Sequence, residues 1–479
     1  MSDHIVSNNK SKEKSDHLVI VGGGSAAFAA AIKASELNAR VTMINDGLPL
    51  GGTCVNVGCV PSKTLIRAAE TVHRANNHGF AGIKTSGQVD DFKMIMANKR
   101  ALVEQLRQAK YIDVVAGLPG FSRIDGRAEI ISPNMVTVNG KRISADKILI
   151  ATGATTKIPE ISGLDKCGYL TSATALDLDE LPESLIVLGG RYIALEMAQM
   201  FSRFGSRVTI LQRSSRILPQ EMEDLTGELT RYLTGEGIEI VTGVAIEQAF
   251  EDSGDTIVEA VVDGDNRTFK ASQLLVATGR KANTHGFGLD TAGVELDGDG
   301  FLKVNDSLQT NVENIYGAGD VTGEPMFVYT AAYEGALAAE NAFSGSMKKR
   351  NYAPLPWVIF TDPQVAGVGL DESAAQKEGI NAESSVLSLS HVPRSLAARD
   401  TRGFIKLVRD TDSDKLIGAR IVAPEGSELL MEVTLAIKHG ITVKEIISAF
   451  HPYLTLSEGV KLAAITFGKS VEKLSCCAV

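Results

Sequence analysis

The stretch His17-Leu-Val-Ile-Val-Gly-Gly-Gly-Ser-Ala-Ala27 decides the fold: an apolar run of strand length meets three glycines and then an alanine-rich segment of helical composition. A second strand follows at Ala39-Arg-Val-Thr-Met-Ile44. The same grammar returns at Ser184-Leu-Ile-Val-Leu188, Gly189-Gly190-Arg191-Tyr192-Ile193-Ala194, a helix through Phe204, and Arg207-Val-Thr-Ile-Leu211. Each copy reads as a buried strand, a tight glycine turn, a helix of about a dozen residues and a second strand, the βαβ unit that binds dinucleotides. Glycine is needed where backbone approaches a pyrophosphate closely and the next helix offers its free N–H groups to the charge. Gly22, Gly24 and Ala27 fill the three motif slots of the first unit, the last governing only helix–strand packing. In the second unit Gly189 fills the first slot and Arg191 replaces the second glycine, which alters the approach to the cofactor. A single glycine turn can pack and bind nothing; two, each between a strand and a helix, favour binding.

The ribose-binding acid expected about 20 residues on falls at Asn45-Asp46. Either Asp46 takes the ribose through a one-residue shift, or Asn45 makes a neutral hydrogen bond. The matching position of the second unit is Gln212, followed by Arg213 and Arg216. An acid there would repel a 2′-phosphate, whereas arginines pair with it bidentately, so the second nucleotide reads as NADPH. The alternative makes both arginines solvated surface charges.

At 479 residues the chain is long enough for about three domains. A hydrophobic content of 44% and a charged content of 22% are those of a soluble globular protein. The net charge of −10 gives no support to a nucleic-acid role. No apolar run reaches the length of a membrane span, so no membrane partner is expected. Residues 1–16 read as a disordered polar tail of a cytoplasmic protein, and an odd cysteine count fits a reducing compartment. The fold class expected is α/β, with two Rossmann-like domains and a C-terminal α+β domain. The boundaries drawn are 17–156 and 281–352 for a flavin domain split around a nicotinamide domain at 157–280, then 353–479 for the last domain. There the glycine motifs give way to strands such as Gly403–Val408 and Leu416–Val422 and a helix at Ser427–His439.

Four of the five cysteines stand in two pairs. Cys54 and Cys59 lie in Gly-Gly-Thr-Cys-Val-Asn-Val-Gly-Cys-Val-Pro-Ser-Lys63. Proline is tolerated in a helix's first turn, so a helix is expected from near Val60, leaving Cys54 in a glycine-rich loop and Cys59 at the positive end of the dipole. That setting suits a redox-active thiolate; the plainer reading is two buried structural thiols. Cys476 and Cys477 are adjacent, and Cα atoms about 3.8 Å apart sit closer than a disulfide wants, so they tend to remain two thiols suited to a soft cation. A chance doublet at a chain end is the alternative. Cys167 reads as a buried structural thiol.

Cys54-Val-Asn-Val-Gly-Cys-Val-Pro-Ser-Lys63, Tyr316-Gly-Ala-Gly-Asp320 and the two βαβ units resemble the pyridine nucleotide–disulfide oxidoreductases, from about His17 onward. Within that family the ending Leu474-Ser-Cys-Cys-Ala-Val479, with Phe360–Ala366 and Asp400–Lys406, resembles the branch that reduces ionic mercury. Disulfide reductases of the family carry His-Pro-Thr and a downstream Glu as an acid–base pair. Here His451-Pro-Tyr-Leu-Thr-Leu-Ser-Glu458, aligned on Thr455 to Glu458, puts Tyr453 in the histidine's slot and leaves His451 a surface or packing role. Phenol titrates near pH 10 and is a poor proton shuttle for thiol exchange, but a metal ion leaves no such thiol to protonate.

The resemblance implies more. FAD contacts fall at Gly52, Thr53, Lys63, Asp320 and Val328, with Gly126-Arg-Ala128 on the adenine side. Lys63 and Glu196 become the ion pair beside the flavin's redox nitrogen. Tyr192 becomes the lid of the nicotinamide pocket, and Tyr111 a second active-site tyrosine; either could be an ordinary half-buried aromatic. It implies a homodimer, with Hg(II)–thiol complexes as substrate and Cys54, Cys59, Cys476 and Cys477 as the metal's ligands. A small N-terminal Cys-x-x-Cys domain common in that branch has no counterpart upstream of Cys54. The rivals are a thioredoxin reductase with a Cys-Cys relay, a dihydrolipoamide dehydrogenase, and a soft-metal storage protein on a flavoprotein scaffold. The first two need the histidine that Tyr453 displaces, and storage gives no purpose to a redox disulfide.

Overall fold

Every residue of the strand His17–Val21 is buried, as is every residue of Ser184–Leu188. Strands buried on both faces are what a parallel sheet covered by helices requires. Both take that place in the computed structural model, which describes residues 16–471. The tail expected at 1–16 and the Cys476–Cys477 pair fall outside these residues, except for Asp16.

The chain divides into two compact units. The first gathers residues up to Val60, Arg100–Thr155 and Arg280–Arg350. Its five-stranded parallel sheet runs Ile315–Gly317, Lys147–Ile150, His17–Val21, Arg40–Asn45 and Phe121–Asp125, with Val21 beside Ile44 and Ile150. Helix Ser25–Glu36 packs against helix Val328–Ser344, and the approach is so close that a Cβ on Gly335 would run into the Ala26 carbonyl. An antiparallel meander, Ala128–Ser132, Met135–Val138 and Lys141–Ser144, completes the unit.

The second unit gathers Pro61–Lys99, Thr156–Gly279 and the chain from Asn351. Its parallel sheet runs Glu239–Thr242, Arg207–Gln212, Ser184–Leu188, Gln273–Val276. A five-stranded antiparallel sheet follows in the order Trp357–Ile359, Gln364–Gly369, Leu416–Ala423, Phe404–Asp410, Ala382–Ser388. The mixed α/β class with parallel nucleotide-type sheets is the one expected. Two boundaries shift: Asn45 and Gln212 are the last residues of their strands rather than the first beyond them. The helix expected at Ser427–His439 opens as a 3-10 turn, Gly426–Leu429, and is α-helical only from Leu430. Glu425 at φ 56° starts that turn from a left-handed residue, which no α-helix can contain. Among the described residues no helix is long and apolar enough to cross a membrane.

Candidate active site

Gly51 and Gly52 take positive φ, 96° and 62°, and swing the chain into a short helix, Gly52–Val57, that carries Thr53 and Cys54. Gly58 breaks it, and a second helix, Cys59–Asn76, begins at once. A Cβ on Gly58 would stand 2.9 Å from the Thr53 carbonyl oxygen, so the break folds the chain tightly back on the turn holding Cys54. Both thiols are half-buried. The helix expected from near Val60 is present and begins at Cys59, whereas the expectation of Cys54 in a loop is corrected: Cys54 is helical. The reason is Asn56, whose Nδ2 donates to the carbonyls of Pro49, Leu50 and Gly52 at 3.0, 3.1 and 2.8 Å and winds the loop into a turn. Arg107 in turn donates to Asn56 Oδ1 at 3.1 Å. Cys59 keeps the expected place at a helix N-terminus, with no acidic residue in the first turn to offset the dipole.

Tyr111 lies in a π-helical turn, Gln108–Ile112, a feature common at functional sites. Its ring meets Phe28 edge-on at 4.9 Å and closes over Gly51, where a Cβ would come within 3.2 Å of the ring carbons. Burial pushes its phenol above the ordinary value and the charge of Cys54 adds to that, against a hydrogen bond with Ser25. Tyr111 therefore stands with the thiol pair and keeps its proton.

The first glycine turn fits a dinucleotide. Gly22 sits at φ 124°, with the Ala151 carbonyl filling the space of any side chain, and Gly23 abuts Asn45 Oδ1. Gly24 is open, and Gly52 comes so near that its Cβ would be 2.7 Å from Gly24 Cα. The helix beginning at Ser25 has no side-chain cap and no acid in its first turn, leaving its N–H groups for an anion. Ala27 is fully buried, as its packing slot requires, and Ala128 is buried at the start of its strand. Asn45 Nδ2 donates to the Leu48 carbonyl at 2.9 Å, while the Asp46 carboxylate is exposed, with Arg127 at 3.5 Å. Asp320 opens a 3-10 turn; burial pushes its carboxyl up, with Arg280 at 3.5 Å pulling it back. Arg280 Nε is buried with no hydrogen-bond partner among the described residues, an orphan that a polar ligand atom beside Asp320 would satisfy. Val328 is the first residue of its helix.

In the second unit Lys63 Nζ reaches Glu196 Oε2 at 2.6 Å and lies 4.5 Å over the Phe360 ring. Helix Tyr192–Phe204 presents one face to the chain at 357–362. Tyr192 stacks on Trp357 with centroids 5.9 Å apart, and Glu196 Oε1 accepts from Phe360 N at 2.9 Å. Gln199 both donates to the Asp362 carbonyl at 2.9 Å and accepts from its N–H at 2.8 Å. Arg203 pairs with the Asp362 carboxylate at 3.1 Å. Gly189, at φ 115°, has the Ala277 carbonyl in the space of any side chain, and a Cβ on Gly190 would press on Gln212 at 3.1 Å. Arg191 caps the helix in extended backbone, a conformation open to any residue. Arg213 is exposed on the strand's far side of Gln212, but Arg216 folds back to donate to the carbonyls of Glu221 and Pro219 at 3.0 and 3.3 Å.

Tyr453 is exposed. His451 is not on the surface: its ring is buried and its Nε2 lies 2.6 Å from Glu432 Oε1, the packing role among those expected of it. The structure thus groups Cys54, Cys59 and Tyr111 in one unit and Lys63, Glu196 and Tyr192 in the other. Sequence reasoning missed Asn56, Arg280, Gln199 and Arg203. The spacing of Gln199 and Arg203 from Glu196, three and seven residues along a helix, was the available signal for the last two.

The description "pyridine nucleotide-disulphide oxidoreductase" matches residues 16–335, and the dimerisation domain of the same family matches 355–464. The chain is 45% identical over 460 residues to a mercuric reductase of Bacillus cereus, covering 96% of this chain and 73% of that protein. It is 44% identical to one of Staphylococcus aureus, covering 96% and 84%. Among solved structures, a Cu(II) complex of the HOCl-induced flavoprotein disulfide reductase RclA of Escherichia coli superposes with a TM-score of 0.85 at 28% identity, over 95% of this chain and all of that one. LpdA of Mycobacterium tuberculosis gives 0.83 at 28% identity over the same shares.

Proposed function

The chain belongs to the mercuric reductases, a branch of the pyridine nucleotide–disulphide oxidoreductases, and from that premise we propose how its residues move Hg(II) from thiol ligands to Hg(0). It is an FAD- and NADPH-dependent Hg(II) oxidoreductase. The balance is one NADPH and one thiol-bound Hg(II) consumed, and NADP⁺, a proton, Hg(0) and two thiolates formed. When bound, NADPH would supply a hydride and FAD would carry its two electrons toward Cys54 and Cys59, which would hold the metal as the reduced dithiol pair.

The chain's own residues do the rest. Gly22, Gly24, Gly52, Thr53, Asp320 and Val328 would hold the flavin nucleotide, with Ala128 at its adenine end. Asp46, its carboxylate exposed, would take the ribose, while one N–H of Asn45 is held by the Leu48 carbonyl. Lys63, oriented by Glu196 and by the Phe360 ring, is the cation beside the flavin's redox nitrogen. Gly189 and Tyr192 receive the nicotinamide nucleotide, and Arg213 reads its 2′-phosphate, with Arg216 holding the loop around it. Cys476 and Cys477 of the partner subunit strip Hg(II) from its incoming thiols and pass it to Cys54 and Cys59, a ligand exchange that changes no oxidation state. Tyr111 and Tyr453 line the path, Tyr111 as a phenol that burial keeps protonated. The two electrons of the NADPH hydride end on the Hg(II) held between Cys54 and Cys59, and the Hg(0) formed leaves, because thiolates have little affinity for it. The enzyme works as a homodimer in the cytoplasm, where NADPH and small thiols are supplied.

The observation that carries this reading is Tyr453: where disulfide chemistry needs a histidine there is a phenol, and the nearby His451 is committed to Glu432. The test is NADPH oxidation with Hg(II) in excess small thiol while mercury vapour is trapped. Stoichiometric Hg(0), and no turnover of glutathione disulfide, lipoamide or thioredoxin, is expected. Disulfide turnover without vapour would overturn the reading. The Cys476→Ala/Cys477→Ala double variant at the parental rate would overturn the relay.

A further inference from the structure

The turn that carries Tyr453 is held in a conformation its own residues resist. Leu454 sits at φ 60°, the left-handed region that any Cβ disfavours. The residue is 44% exposed, so burial of the leucine is not what keeps it there. A hydrogen bond is: the Leu454 amide donates to Glu458 Oε2 at 3.1 Å. The rest of the turn is tied to the same residue. Thr455 Oγ1 donates to the Pro452 carbonyl at 2.7 Å and accepts from the Glu458 amide at 3.2 Å. Upstream, His451 is fixed by Glu432 at 2.6 Å. Tyr453, 53% exposed, thus lies between two anchors, each made with a carboxylate.

Glu458 aligns with the carboxylate that orients the acid–base histidine in disulfide reductases, and here that histidine's slot holds Tyr453. We infer that Glu458 is a positioning residue: its carboxylate accepts the Leu454 N–H, holds the left-handed turn, and so presents Tyr453 to the metal complex, moving no proton. The inference rests on the role given to Tyr453 under Proposed function. Two consequences separate it from a proton-relay role. An amide oxygen can accept the same bond, so Glu458→Gln should keep the turn. Glycine adopts positive φ without a steric penalty, so Leu454→Gly should make the bond dispensable.

The experiment uses the full-length holoenzyme and reads KM and kcat for Hg(II)–thiol complexes, together with hydrogen exchange of the 452–458 segment. Glu458→Ala should raise KM about tenfold with little change in kcat, and should speed exchange at Leu454. Glu458→Gln should stay within about twofold of the parent in KM. The Glu458→Ala/Leu454→Gly pair should return KM toward the parental value. Loss of activity in Glu458→Gln equal to that in Glu458→Ala, or no rescue by Leu454→Gly, would overturn the inference in favour of a proton role. Tyr453→Phe and Tyr453→Ala, measured alongside, test the underlying reading by themselves. Unchanged KM in both would remove the tyrosine from metal transfer, whereas exchange at Leu454 reports on the turn whatever the tyrosine does.

Discussion

Gly58 is the residue on which the thiol geometry turns. Its absent Cβ leaves room for the Thr53 carbonyl, which would otherwise be 2.9 Å away, and a backbone oxygen cannot rotate aside as a side chain can. Gly58→Ala is therefore expected to push the short helix and the long one apart, lowering stability by roughly 1–3 kcal/mol, as overpacking does. Hg(II) reduction should fall at least as steeply, because Cys54 and Cys59 lie on opposite sides of the break. Gly117→Ala, whose Cβ would meet nothing nearer than 3.7 Å, serves as the control. Thermal unfolding and mercury-vapour assays on the two variants check it; parental behaviour of Gly58→Ala would mean that the break tolerates a side chain. The cysteines and the motif glycines were legible in the sequence because their chemistry depends on local spacing. Gly58's role was not, since it depends on where a carbonyl five residues back comes to lie. The choice between Asn45 and Asp46 is open in the sequence for a similar reason: the Leu48 carbonyl that takes one N–H of Asn45 comes into place only once the turn is folded.

At the scale of elements, long-range polar bonds decide what periodicity leaves open. Helix Tyr192–Phe204 was readable from its strand–glycine–helix grammar, yet nothing in that grammar says that Glu196, Gln199 and Arg203 grip the chain at 360–362. Helix Glu223–Gly235 is tied in a comparable way: Tyr232 Oη donates to Glu228 at 2.5 Å and accepts from the Gly403 amide at 2.8 Å, just ahead of strand Phe404–Asp410. Burial, reinforced by Glu228, pushes this phenol up to about 12. In the unfolded chain it ionises near its ordinary value of about 10. The stability contributed by the protonated phenol is thus fully present below about pH 10, and is lost as pH rises from there through about 12. Tyr232→Phe should be less stable than the parent by roughly 1–3 kcal/mol at pH 8, since a buried amide loses its acceptor. That deficit should shrink between pH 10 and 12, because the variant has no phenol to titrate. Urea unfolding of both proteins across that range measures it, and a deficit constant with pH would show that the phenol is not the titrating group.

For the whole molecule, the two nucleotide-type sheets were legible because one motif is written twice, and the C-terminal sheet because the glycine motifs stop before it. The surface that joins two copies was not, because helix Leu430–His439 is apolar on more than one face. Leu430, Val433 and Ala436 are buried beneath it, whereas Met431 and Leu435, one turn apart, are 54% and 46% exposed. Phe450 is exposed completely, and its neighbour His451 is bonded to Glu432 on that same helix. These residues lie within 355–464, the stretch matching the family's dimerisation domain. Apolar side chains gathered on one face mark a surface meant to be covered, and a second copy is the cover that a dimerisation domain supplies. Phe450→Asp should then convert the dimer to monomer in sedimentation velocity, because a carboxylate buried without a partner costs several kcal/mol across a symmetric interface that contains it twice. The functional consequence discriminates further. If the Cys476–Cys477 pair serves the neighbouring subunit, the monomer should lose turnover of thiol-bound Hg(II). It should still oxidise NADPH with a small artificial electron acceptor, because each chain carries its own two glycine turns and its own Cys54 and Cys59. A variant that remains dimeric would show that this face is not the interface; a monomer that still reduces Hg(II) at the parental rate would show that each tail serves its own chain.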